Sequence, residues 1–337
     1  MKKNRLFILL LSALPFAVAA QGDVDQMLLG TVNDAKYLAD GYLNPLMKSI
    51  GYGMNQGWYT TAKTHKFPGF DLTFSVNSAF APAADKSFNV DNSKLASVYL
   101  KRDLSGNEPD MNTGRGNLPT IFGERRSLLL APKPNPTDTS FPAAPGVGLA
   151  FFPTPTLNLG IGLPKGFDLK VRYVPTIDFG KLSNDKLIGD FGMWGVGVMH
   201  DFKQYIPGIK ALPFDMSVFV GYSQLKFNVG LDKSQPTHKA ELTSSATTIQ
   251  ALISKKISVL TGYFGLGYNM ATTKFALKGS YTFSDGVKTD PFTTEAQSNG
   301  VRATVGLRLK FGPIAFHGDY TLQKYNALTV GFGIAVR

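Results

Sequence analysis

VRATVGLRLKF, residues 301–311, decides the fold. Val301, Ala303, Val305, Leu307, Leu309 and Phe311 share one phase; Arg302, Thr304, Gly306, Arg308 and Lys310 share the other. A strict period of two is the signature of a β-strand with unlike faces. The cations all lie on one phase. A charge on the lipid face at mid-bilayer costs ~2–4 kcal/mol, whereas a wet lumen accepts it. The stretch therefore reads as one stave of a transmembrane barrel, greasy side out.

The alternation recurs through the chain. Phe70, Leu72, Phe74, Val76 and Phe80 oppose Asp71, Thr73, Ser75, Asn77 and Ala79. Leu157 to Leu163 continue it, and Pro164-Lys165-Gly166 turns into Phe167, Leu169, Val171 and Tyr173 against Asp168, Lys170 and Arg172. Phe275, Leu277, Gly279, Tyr281 and Phe283 oppose Lys274 and Lys278, and Leu328 to Val336 closes the series. A soluble sandwich also alternates, but charge confined to one phase of several strands favours the membrane. The expected fold is all-β, a transmembrane outer-membrane β-barrel of roughly 12 to 14 antiparallel strands with a short helical N-terminal plug, taking ~9–11 residues per strand.

Residues 1–20 read as a signal peptide: Lys2, Lys3 and Arg5 precede an apolar core, and Val18-Ala19-Ala20 offers a small-residue exit. Residues 21–56 read as the plug. Asp34 is a candidate cap for a turn ending at Gly41, and Asn44-Pro45 starts another that carries Leu46, Met47 and Ile50 and stops at Gly51. With Met27 to Gly30 that makes three short helices, none stable alone in water. Residues 57–337 form the barrel, interrupted at 82–146 by an excursion holding eight of the chain's 20 prolines.

Composition limits the chemistry. The formal charge of +11 is spread along the chain rather than clustered, which argues against nucleic acid. There is no cysteine, hence no disulfide framework and no thiolate site. Gly160-x-Gly162 lies inside a strand and opens no helix, so it is not a phosphate loop. No metal-ligating spacing and no cofactor motif stands out. His317 and Asp319, two apart on one lumen phase, are the one arrangement resembling a hydrolytic pair, with Ser280 as an imaginable nucleophile; a lumen hydrogen-bond network is the plainer reading.

The helical start leading through Leu43-Asn44-Pro45-Leu46 into the first strand is similar to the hatch of the FadL-like long-chain fatty-acid transporters. Leu118-Pro119-Thr120-Ile121-Phe122-Gly123, and Gly160 to Gly166 running into Leu169 to Tyr173, resemble a domain-of-unknown-function family of Bacteroidetes outer-membrane β-barrels. The last residue, Arg337, departs from the usual aromatic ending. These resemblances imply a plugged barrel in the outer membrane whose partners are its lipids. The expected function is non-catalytic: passive transport of a hydrophobic or amphiphilic anionic small molecule past Lys170, Arg172, Lys274, Lys278, Arg302, Arg308, Lys310, His317 and Asp319. A scaffold or secretion accessory is the alternative, and an outer-membrane hydrolase built on His317 and Asp319 a further one.

Overall fold

The computed structural model describes residues 30–133, 140–178, 180, 188–232, 235 and 237–336. The signal-peptide reading and Arg337 lie outside them. Among the described residues one helix, α1 (Val32–Met54), precedes β1 (Phe70–Phe80). The excursion carries β2 (Ser87–Asp91), β3 (Val98–Leu100), β4 (Arg115–Pro119), β5 (Leu129–Pro132) and β6 (Phe141–Pro142). Then come β7 (Phe151–Leu163), β8 (Phe167–Asp178), β9 (Gly189–Asp201), β10 (Asp215–Gly230), β11 (Lys239–Ile257) and β12 (Leu260–Lys278). After them follow β13 (Ser280–Phe283), β14 (Gly286–Thr289), β15 (Phe292–Gln297), β16 (Gly300–Phe311), β17 (Ile314–Leu322) and β18 (Ala327–Val336).

Among the described residues ten antiparallel strands close a barrel in the order β1-β7-β8-β9-β10-β11-β12-β16-β17-β18, with β18 returning to β1. The extra strand β15 pairs with β12 in the register β16 uses, Thr272 opposite Gln297 and Leu260 opposite Leu309, so it prolongs β16 beyond a break at Ser298 and Asn299. The expected 12 to 14 strands are thus corrected to ten. Bilayer thickness sets the minimum length of a stave, not its actual length, and β11 and β12 run 19 residues each.

The outward phase is the greasy one. Val301, the most exposed large apolar residue of the wall at 74%, begins an uncharged outward row that runs to Phe311, while Arg302, Thr304 and Arg308 are buried behind it. Ten residue steps at ~3.3 Å, tilted by ~40°, give a band ~25 Å tall, the height of a bilayer's apolar layer. Tyr173, Trp194 and Tyr222 stand exposed on neighbouring staves, Trp194 edge-on to Tyr222, as an aromatic girdle does.

The barrel's two ends differ. At one end the links are the turns 164–166, 258–259 and 312–313 and the longer 202–214, and β18 finishes there. At the other, β1, β8, β10, β12 and β17 finish, and the described part of the excursion, the link 323–326 and the β13–β14 hairpin lie. The Pro164-Lys165-Gly166 turn thus falls at the end where β18 finishes.

α1 fills the lumen, starting at the long-loop end and running towards the short-turn end. It is one helix of 23 residues where two short ones, about Asp34 and Asn44, are expected; the third, starting at Met27, lies outside the described residues. Gly41, Gly51 and Gly53 do not stop it; they let it approach its surroundings. A methyl group at Gly41 would collide with the Phe88 ring, at Gly51 with Ser298, and at Gly53 with Thr154. Thr31, not Asp34, is the N-cap, its hydroxyl accepting from the Asp34 amide at 3.2 Å. Pro45 lies inside the helix, and Leu46, Met47 and Ile50 enter the main buried cluster with Leu225, Phe227 and Tyr325. Asn44 lies in mid-helix and caps nothing.

The excursion covers the long-loop end as a small β structure. β3 pairs with β5 and β2 with β4, and Val98, Leu100, Leu128 and Leu130 pack with Leu38 of α1. A water-sized void of about 20 Å³ lies beneath, lined by Leu38, Tyr42 and Phe88 among others. Asp34 fastens the cover: its carboxylate accepts from the amides of Ala96 and Ser97 at 2.8 and 2.9 Å and from the Ser97 hydroxyl at 2.7 Å. Burial opposes ionisation, but these hydrogen bonds outweigh it and hold the carboxyl below the usual range. A folded pKa below the unfolded one contributes stability above about pH 4 that disappears as pH falls through the folded value. Asp34→Asn is therefore expected to speed proteolysis of the excursion several-fold at neutral pH. An unchanged cleavage rate would reject this role.

Candidate functional site

An α-helix ends with four carbonyls that lack intrahelical partners and with about half a negative charge. α1 has no basic residue in its last turn. The barrel wall provides the cations instead. Arg172 of β8 donates to the carbonyls of Met54 and Gln56, both at 2.6 Å, and to Asn158 Oδ1 at 2.8 Å, and its guanidinium lies 3.9 Å from the Trp58 ring centre. Arg302 of β16, from a different part of the wall, donates to the Asn55 carbonyl at 2.6 Å and to Gln56 Oε1 at 2.5 Å. The planar fork of arginine suits two adjacent carbonyls in a way the point charge of lysine does not.

Past the helix, the segment from Gly57 to Gly69 packs into the short-turn end of the lumen. Trp58 and Tyr59 join Met199, Phe219, Leu252 and Tyr263 in a buried cluster. Ser217 donates to the Ala62 carbonyl, and the Ala62 amide donates to Ser254 Oγ at 3.0 Å. His65 then meets the wall: Nδ1 is 2.8 Å from Asp168 Oδ2, and Nε2 is 3.5 Å from Asp71 Oδ1. Lys170 Nζ lies 2.9 Å from Asp71 and 3.5 Å from Asp168. All four side chains are buried. Gly160 makes room for them, since a methyl group there would collide with Asp71 and Lys170.

His65, Asp71 and Asp168 offer three ligand atoms within 4.8 Å of one another. A metal bound to them would sit beside the fixed ammonium of Lys170. Coulomb repulsion at that range argues for an ionic clasp between plug and wall, not a metal centre.

The other expected lumen residues have separate places. Arg308 is buried on the lumen phase, and Lys310 donates to the Ala335 carbonyl at 2.8 Å. His317 Nε2 lies 3.2 Å from Ser75 Oγ, and Asp319 accepts from the Tyr263 hydroxyl at 2.9 Å, so each turns to a partner other than the one a hydrolytic pair requires. Ser280 pairs with Thr289 in the exposed hairpin. Lys274 and Lys278 are not in the lumen. They point outward and pair with Glu295 at 3.4 Å and Asp290 at 2.9 Å. There the apolar phase turns inward, where Leu277, Tyr281 and Phe283 pack on Ala35 of α1.

His65, Gln56 and Trp58 escaped the sequence reading because they lie in an aperiodic segment. The available clue was the pair of lumen-phase acids, Asp71 and Asp168, flanking a lysine on the same phase.

One place in the wall is incompletely paired. The β7–β8 ladder runs from Leu163 opposite Phe167 to Asn158 opposite Arg172 and continues no further. Beyond it β7 pairs with β1, and β8 pairs with β9 across a bulge between Val174 and Ile177. Pro153, Pro155 and Pro175 fall in this stretch and have no N–H to give a neighbouring strand. The separation leaves an apolar cavity of about 370 Å³ lined by Leu72, Pro155, Leu157, Tyr173, Val174 and Ile177 among others. Leu72 and Leu157 belong to the exposed outer face, whereas Val174 belongs to the buried cluster around α1. The cavity thus reaches from the lipid-facing surface to the interior packing.

The description "Family of unknown function (DUF6588)" matches residues 1–336. The chain belongs to this family. No match is found among curated proteins. Similar solved structures include the translocator domain of autotransporter NalP from Neisseria meningitidis, 11% identical over 91% of this chain and 99% of that one, with a TM-score of 0.31. The outer-membrane protease OmpT from Escherichia coli is 8% identical over 82% and 100%, with a TM-score of 0.34. A Pseudomonas aeruginosa FadL homologue is 10% identical over 94% and 95%, with a TM-score of 0.25. Likenesses this distant assign this DUF6588 member no function; its own geometry must do so.

Proposed function

We propose that this protein is a plugged outer-membrane barrel that passes a hydrophobic or amphiphilic small molecule without covalent chemistry. The apolar cavity at the unpaired β7–β8 stretch carries this reading, because it joins the lipid-facing surface to the interior beside a lumen that α1 blocks axially. The anionic character first expected of the solute loses its support: Arg172, Arg302 and Lys170 are engaged by the plug and its clasp, and Lys274 and Lys278 face outward.

In proteoliposomes the wild-type barrel is expected to admit a fluorescent fatty acyl probe faster than barrel-free vesicles. Val174→Trp, which fills the cavity from its inner side, is expected to cut that rate about tenfold, as a ~1.4 kcal/mol obstruction would. Wild-type uptake no faster than that of empty vesicles sinks the transport reading.

The scaffold alternative is supported by the excursion's own buried cluster around Val90, Leu100, Leu118 and Leu130, which suits a folded docking element. A protein that co-purifies with the whole chain and is lost on excision of residues 82–146, with probe uptake at background, is the result this reading requires.

A further inference from the structure

We infer that the outer wall at the short-turn end binds an anionic phospholipid, with its headgroup at Lys255 and an acyl chain against Ile253 and Phe264. A second cavity, a shallow groove of about 420 Å³, lies there, lined by Phe214, Ile253, Lys255, Gly262 and Phe264 together with Ser254 and Tyr263. The register explains its shape. Lys255 stands directly opposite Gly262, and Ile253 opposite Phe264, so a lysine and a missing side chain form one layer of the groove and two apolar side chains the next. Gly262 leaves open space: a methyl group there would meet only Leu307, at 3.9 Å.

Free lysines occur at both ends: at the long-loop end Lys239, Lys274, Lys278 and Lys288 have carboxylate partners, but exposed Lys226 and Lys324 have none among the described residues, so what marks the groove is a free lysine beside open apolar space. At the short-turn end Lys63, Lys255 and Lys256 are exposed and have no ion-pair partner among the described residues. They gather around Ser254, which holds the Ala62 amide one residue before Lys63. Lys255 lies on the outward, lipid-facing phase, between exposed Ile253 and Ile257. An unpaired cation on an apolar face that continues the membrane band favours a counter-charge carried by the lipid itself. The inference rests on the barrel's spanning a membrane but not on what it transports.

The test uses the full-length barrel in nanodiscs of phosphatidylglycerol and phosphatidylcholine, with retained lipids counted by native mass spectrometry. Phosphatidylglycerol is expected to be enriched about fivefold over phosphatidylcholine, the preference that ~1 kcal/mol from one lysine near an anionic headgroup confers. Lys255→Gln is expected to abolish that enrichment through charge, and Gly262→Leu through filled space, each with the gel mobility of the folded barrel and with unchanged acyl-probe uptake. Absence of enrichment in the wild type overturns the assignment, as does full enrichment persisting in both variants. Lipid A displacing phosphatidylglycerol from the wild type also overturns it.

Discussion

Arg172→Ala is expected to lower barrel stability by about 3–5 kcal/mol and to loosen α1 from the wall, because it leaves buried partners without their charge. The side chain is fully buried and makes three hydrogen bonds, two of them to the carbonyls of Met54 and Gln56. Hydrogen bonds to a charged group contribute ~1.5–3 kcal/mol each, partly offset where water enters to serve the abandoned carbonyls. Contact with the Trp58 ring adds about 1–2 kcal/mol in so dry a setting. Arg172→Lys should recover less than half, since one ammonium cannot serve both carbonyls in the arginine fork's geometry. The measurements are the urea midpoint of the heat-modifiable band in detergent and ion conductance in planar bilayers, where loosening of α1 should raise conductance. A midpoint within ~0.5 kcal/mol of wild type, the range of an ordinary surface substitution, would remove the arginine anchor from the account.

Lys170→Met should have the second-largest effect. It removes the ammonium between Asp71 and Asp168 and leaves two buried carboxylates beside the His65 ring without that charge. Breaking a buried ion pair by deleting one member costs about 3–5 kcal/mol. The informative experiment is the double variant Lys170→Met with Asp71→Asn, which removes both the charge and its counter-charge. Recovery of more than half the loss is the outcome expected of a coupled cluster; strictly additive losses would show that the four side chains do not act together.

The sequence made the wall's phase readable, most clearly on β16, where the row Val301 to Phe311 faces out and Arg302 and Arg308 face in. The same rule failed on the last turns of β12. Lys274 and Lys278 keep the alternation, but above the membrane band the medium outside is water and the medium inside is α1, so the greasy phase turns inward. Alternation reports that two faces differ; which one meets lipid depends on height, which sequence does not encode. The glycines of α1 were misread for a related reason. Gly41 and Gly51 look like stops until Phe88 and Ser298, 47 and 247 residues further along, come against them. The arginine anchors were legible as lumen cations, but their partners are backbone carbonyls, which have no residue signature.

The pairing of β1 with β18 joins the first wall strand to the last, and α1 lies upstream of both. A 23-residue helix cannot pass sideways through a fully paired wall, so it is expected to lie within the curling sheet when β18 arrives. Arg302, on β16, donates to the Asn55 carbonyl, so this contact is expected to form late. Seating of the plug and sealing of the barrel are therefore expected to be coupled in biogenesis. A helix that cannot bind its arginines should delay closure itself, so folding-rate measurements on Arg172 and Arg302 variants will report on membrane assembly as well as on permeability.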